Sequence, residues 1–259
     1  MGVEWELIRS GPESADHGVL LLPGGANAAR SYDEVMVQPV LAGTRLVAAT
    51  LPGHAGAPPP DDFAVESYAS LAAEVAADNG CDVVAGFSMG ATVALEMAAS
   101  RAFKGPVVLL GVSLSPRDEP AFFRAIVRLG GVLGKLPSAL LLKLIAVAAR
   151  SAHVSDEHRA RMRADFRSND PQDSRRGLAA YLDYLGRYDA PAERLCAAGV
   201  PTWVVHAEKG DGGLTDEERR TLDHCPHAHL ITIPGTCLFL PDEAPERVAR
   251  VIADALEAA

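Results

Sequence analysis

Residues 86–90 read Gly86-Phe87-Ser88-Met89-Gly90. A serine between two glycines at this spacing can occupy a sharp strand-to-helix turn, where the glycines relieve crowding and the hydroxyl projects from the sheet. The flanks suit that geometry: a short apolar run at 82–85 precedes it and a helical pattern at 89–100 follows. The chemistry would be nucleophilic acyl transfer, with Ser88 Oγ as the attacking atom. A helix that opens directly after the serine aims unpaired N–H groups, and the positive end of its dipole, at a developing oxyanion. Two donors are needed. The N–H of Met89 would be one, and the Gly-Gly turn in Leu21-Leu22-Pro23-Gly24-Gly25-Ala26-Asn27 offers the other through Gly25 or Ala26. The plainer alternatives are a Gly-rich turn whose serine only caps the helix, and an ordinary Gly-Gly turn.

The elements that must position these groups follow from periodicity. Apolar runs at 18–22, 45–49, 82–85, 106–112, 201–206 and 229–233 mostly lack polar alternation. They predict strands buried on both faces of a mostly parallel sheet. Helical patterns at 32–41, 67–79, 89–100, 216–223 and 244–256 lie between them, which predicts a doubly wound α/β fold with helices on both faces. The alternating piece at 3–9 predicts an antiparallel edge strand. Between 116 and 188 no strand pattern occurs; helical patterns at 119–129, 138–149, 156–167 and 174–187 predict an insertion of the lid kind. The expected division is a core of residues 1–115 and 189–259 with a helical lid over 116–188.

The 259 residues, 48% hydrophobic, suffice for one large α/β core. The formal net charge of −10 is spread along the chain, which argues against nucleic acid and anionic membrane surfaces as partners. The longest apolar stretch, around 139–149, is interrupted by Lys143 and is too short to span a bilayer, and no leader pattern opens the chain. A soluble cytoplasmic monomer or homodimer is expected. Cys81, Cys196, Cys225 and Cys237 are far apart and predict buried free thiols. His224, His227 and His229 lack a carboxylate at ligand spacing, so no metal is expected.

With the motifs placed, the chain resembles the α/β-hydrolase fold superfamily, in its branch of small bacterial esterase- and lactonase-like enzymes. The resemblance rests on LLPGG at 21–25, LPGHAG at 51–56, GFSMGA at 86–91, VVHAEKGDGGLT at 204–215 and IPGTCLFLPDEAPE at 233–246, in the family's order. It implies an α/β-hydrolase fold with a mostly parallel central sheet, and serine-dependent hydrolysis of small apolar esters or lactones without a cofactor. It also implies an acid in the loop after the strand at 201–206. Asp211 fits there one residue late, with Glu208 as runner-up; Asp118, after the strand at 106–112, occupies the family's alternative position.

The resemblance further implies a histidine in a loop of the form PG-x-x-H-F. Leu238 stands in that place, 27 residues beyond Asp211, which is the family's usual scale. Leucine accepts no proton, and an unassisted serine hydroxyl is a poor nucleophile at neutral pH. His54 and His206 are the candidate substitute bases, although relatives with an intact triad also carry a histidine like His54, where it supports the loop. His153 and His158 lie in the insertion and would reach Ser88 only on its closure. Cys237, beside Leu238, reads as a packed thiol. Phe122, Phe123 and Ile126 would help wall an apolar pocket for a small-molecule substrate. Two other uses of such a pocket stay open: binding without hydrolysis, and lyase-type chemistry.

Overall fold

A computed structural model describes residues 5–119, 154–208, 213–235 and 239–259. Its centre is a seven-stranded sheet in the order β1-β3-β2-β4-β5-β6-β7. The strands are β1 Leu7–Ser10, β2 Gly18–Leu22, β3 Arg45–Ala49, β4 Val83–Phe87, β5 Val107–Leu110, β6 Thr202–Ala207 and β7 Ala228–Ile233. β1 runs antiparallel to β3 at one edge, and the other pairings are parallel. β2, β4, β5 and β6 are buried throughout, which is why their sequences show no polar alternation. β7 closes the other edge and is only partly buried.

Among the described residues, helices longer than one turn are α1 Val65–Asp78, α2 Met89–Ala99, α3 Asp156–Ser168, α4 Pro171–Leu185, α5 Pro191–Ala198, α6 Asp216–Asp223 and α7 Pro245–Leu256. Successive strand residues face opposite sides of the sheet, so the core has two layers. Leu20, Val84, Leu109 and Val204 pack with α1, α2, α4 and α5. Leu21, Ala85, Val108 and Val205 pack with α7 and with Met162 and Phe166 of α3. Among the described residues between β5 and β6 the helices divide: α3 joins one layer, while α4, through Tyr181, Tyr184 and Leu185, and α5 join the other. Asn169 and Asp170 make the crossing. Glu96 of α2, buried, accepts from Tyr184 Oη and from Arg194, each at 2.7 Å, which ties α4 and α5 to the helix behind Ser88. A carboxylate taken out of water needs such partners.

Three expectations change. The helix expected at 32–41 is three single turns, Ala29–Tyr32, Asp33–Met36 and Pro39–Leu41. Pro39 offers no N–H and forces Gln38 into an extended conformation at φ −68°, ψ 133°. The sequence patterns give no helix at α5, yet Pro191 opens it and Gly199, at φ +72°, ends it. Most directly, Cys196 and Cys225 are not free thiols. They form a disulfide, with Cα atoms 5.8 Å apart, because α5 packs beside α6 and brings together residues 29 apart in sequence. Cys81 is a buried free thiol. Of the helix patterns at 119–129 and 138–149, all but Glu119 lie outside the described residues. Among the described residues, no helix is long and apolar enough to cross a membrane, and no group of three or more His, Cys, Asp or Glu could hold a metal ion.

Candidate active site

Ser88 makes the reversal between β4 and α2 alone, at φ 50° and ψ −114°. A non-glycine residue held there stores on the order of 1–3 kcal/mol of strain. The main chain secures it: Ser88 N–H donates to Leu110 C=O at 2.8 Å, and Ser88 C=O accepts from Thr92 N–H at 3.0 Å. Neither flanking glycine could carry a side chain. A Cβ on Gly86 would run into the Gly90 carbonyl, and one on Gly90 into the carbonyls of Leu22 and Pro23. Ser88 is partly exposed although Phe87 and Met89 are buried, and its side chain makes no capping hydrogen bond to α2.

The turn after β2 lies against this elbow. A Cβ on Gly25 would stand 3.7 Å from Met89 Cβ and 3.9 Å from His54 Cε1. Among the described residues, no protein acceptor takes the N–H of Gly25 or of Met89. The N–H of Ala26 is engaged, donating to His54 Nδ1 at 3.1 Å. Of the two donors left open by the sequence, Gly25 is the one available for an oxyanion. The turn is closed by Asn27 N–H on Gly24 C=O at 3.1 Å, with Ala26 at φ +68°.

The histidines have distinct settings. His54 is 4% exposed, and burial lowers its pKa to about 4. Because Nδ1 accepts the Ala26 N–H, the neutral ring carries its proton on Nε2 and has no lone pair left for a serine proton. That geometry suits loop support and not a base. His158 is also committed: it is buried with Nε2 2.5 Å from Asp242 Oδ1, and that bond raises its pKa. It fastens α3 to the core and is not poised to swing toward Ser88. His206, 5% exposed, pairs with Thr232 across β6 and β7. The registers Phe87↔Leu110 and Leu110↔Val205 put His206 level with Ser88, two strands away, or roughly 10 Å between backbones.

Asp211, Leu238, Cys237 and His153, like Phe122, Phe123 and Ile126, lie outside the described residues. The strands that precede Asp211 and Leu238, β6 and β7, end at the same edge of the sheet as β4. Glu208 bridges their exits, accepting the Gly235 N–H at 3.0 Å. Asp118 accepts from Leu114 N–H and Ser115 N–H at 2.8 and 2.9 Å. Burial, reinforced by the neighbouring Glu218 carboxylate and opposed by those bonds, pushes the Asp118 pKa up to about 7. Both runner-up acids thus hold main chain in place.

One residue at the site has no counterpart in the sequence reading beyond a helix boundary. Asn169, 5% exposed, donates through Nδ2 to Ala26 C=O at 3.0 Å and accepts through Oδ1 from Ala55 N–H at 2.9 Å. An Asn-Asp-Pro break announces the end of one helix and the start of another. It carries no signal about partners more than a hundred residues upstream.

The chain matches the Alpha/beta hydrolase family over residues 19–251. In fold it is similar to a thermophilic esterase from Thermogutta terrifontis, solved with malate bound, at TM-score 0.77 and 21% identity, over 98% of this chain and 93% of that one. A carboxylesterase of the thaumarchaeon Nitrososphaera gargenis gives TM-score 0.72 and 15% identity, over 98% and 94%. The epoxide hydrolase CorEH gives TM-score 0.71 and 17% identity, over 98% and 94%. No curated protein matches the chain in sequence. At these identities the shared property is the fold, and one fold hosts several chemistries, so function must be argued from the site.

Proposed function

The chain belongs to the alpha/beta hydrolase family, and from that premise we propose that it is a serine-dependent hydrolase of small apolar esters or lactones. The observation that carries the reading is the backbone of Ser88, partly exposed at φ 50° between two glycines with no room for a Cβ. A helix cap sits in extended backbone and bonds its side chain to the helix; Ser88 does neither. In the proposed reaction Ser88 Oγ attacks the ester carbonyl carbon. The carbonyl electron pair moves to oxygen, and the N–H groups of Met89 and Gly25 receive the charge. Collapse expels the alcohol, which takes up a proton, and water then cleaves the acyl-enzyme to release the acid and restore Ser88. Residues 116–188 act as the lid, and their apolar side chains favour an apolar acyl or ring-shaped substrate.

Asp211 keeps the place of the acid, and Leu238 stands where an imidazole would take the serine proton. The proton passes to His206 or to water. Loss of one triad member leaves roughly 10³–10⁴-fold over water from the oxyanion hole and binding alone, so turnover is slow. The engaged lone pair of His54 and the engaged ring of His158 favour a second reading, a binding protein that keeps the pocket without hydrolysis. Fluorophosphonate labelling and p-nitrophenyl ester turnover separate the two. The hydrolase reading expects labelling on Ser88 and turnover above a Ser88→Ala control; the absence of both leaves the binding reading.

A further inference from the structure

The turn from Gly24 to Asn27 has an alanine where its backbone suits glycine. Ala26, its third residue, is at φ +68°, and turns of this kind take Gly or Asn there because Cβ is crowded. Both main-chain polar groups of Ala26 are held from outside the turn. Its N–H donates to His54 Nδ1 at 3.1 Å, and its C=O accepts from Asn169 Nδ2 at 3.0 Å. The same Asn169 accepts, through Oδ1, the N–H of Ala55, which is itself left-handed at φ +50°. One side chain therefore bridges two strained alanines, on the loops after β2 and β3, and closes a ring through His54. A further bond from Nδ2 to Asp165 C=O at 2.7 Å fixes the amide to the end of α3.

From this ring we infer that Asn169 is a positioning residue for the oxyanion loop, linking the seating of α3 and α4 to the direction of the Gly25 N–H. The inference rests on the acyl-transfer reading above. The physical link is the peptide plane: Gly24 C=O and Gly25 N–H belong to one rigid unit, so the Asn27 bond that closes the turn also sets where the Gly25 N–H points. Should Ala26 relax to negative φ, the turn opens and that plane rotates. Asn169 and His54 prevent the relaxation by satisfying the Ala26 groups only in the strained conformation. His54 acts from the core and Asn169 from the inserted helices, so the donor is aligned only when α3 and α4 are docked.

The test uses the full chain and p-nitrophenyl acetate, with Ser88→Ala as the reference for uncatalysed turnover. Asn169→Ala is expected to lower kcat by about 10- to 100-fold, the scale of a donor displaced by about an ångström. KM should stay within about twofold, because the oxyanion exists only past the ground state. Glycine reaches positive φ without strain, so adding Ala26→Gly to Asn169→Ala should recover most of the lost kcat. A general loss of folding would not be recovered that way, and thermal unfolding of each variant reads it separately. Amide exchange of the segment 24–28 gives a readout independent of turnover, with protection at Ala26 and Asn27 expected to fall at least about tenfold in Asn169→Ala. Unchanged kcat, or a loss that Ala26→Gly does not recover, overturns the inference, as does unchanged exchange. If the wild type neither labels nor turns over above Ser88→Ala, the hydrolase reading fails by itself, and the exchange result still decides whether Asn169 holds the turn.

Discussion

At the scale of single residues the proposed chemistry joins the backbone turn observed at Ser88 to a leucine, Leu238, where the sequence motif leads one to expect a histidine. The strain at Ser88 is kept by two close approaches, Gly86 to Gly90 and Gly90 to the exit of β2, which no larger residue survives. In the proposed reading, Leu238 takes the sequence position of the imidazole that would serve Ser88 and Asp211. Leu238→His is therefore expected to raise ester turnover by about 10²- to 10⁴-fold, the usual worth of a general base, provided Ser88 and Asp211 stand in triad geometry. Steady-state kinetics of the folded variant checks this, and no gain would show that the site now serves another purpose. The sharp turn at Ser88 was legible from the sequence because its motif is local. The engagement of His54 was not, because its Nδ1 partner lies 28 residues away in another loop.

At the scale of elements, the strand and helix order follows from hydrophobic period, while the pairings between helices do not. The Cys196–Cys225 bond shows the difference: neither cysteine has a spacing that announces it, and packing of α5 beside α6 makes it. Closing a loop of this length is worth about 3–4 kcal/mol in the chain-entropy account. A double Cys196→Ser, Cys225→Ser variant should lose about that much in urea unfolding, and reductant should lower the midpoint of the wild type alone. Equal midpoints would mean that contacts between α5 and α6 hold this edge without the bond. The bond also weighs against the cytoplasmic expectation, since reducing compartments keep such thiols apart.

At the scale of the whole molecule, two buried groups oppose each other in the pH dependence of stability. Folded His54 titrates at about 4 against an ordinary 6.5, so it binds fewer protons than the unfolded chain between those values. Its contribution, roughly 3 kcal/mol, is complete above pH 6.5 and fades as the pH falls to 4. Asp118 titrates at about 7 against an ordinary 3.8, so it binds more protons when folded, and its contribution fades as the pH rises through that range. Removing either group should therefore tilt the wild-type profile between pH 4 and 7 in a direction set by the group removed. His54→Asn should make stability fall more steeply with rising pH, and Asp118→Asn should make it rise. Unfolding free energies across this range check both signs, and superimposable profiles would remove both assignments.

The sequence by itself determined the sheet, the order of its strands along the chain, the sharp turn at Ser88 and the chemistry that turn suggests. Each depends on neighbouring residues: the period of burial, the flexibility of glycine and the start of a helix. Only the tertiary structure decided that, among the described residues, Ala26 N–H has an acceptor and Gly25 N–H has none, that His54 is occupied, that Cys196 meets Cys225, and that Asn169 clamps the loop beside Ser88. These are hydrogen bonds and contacts between segments far apart in the chain. A hydrogen-bond donor's type is written in sequence, but its acceptor is chosen by which loops the fold brings within about 3 Å.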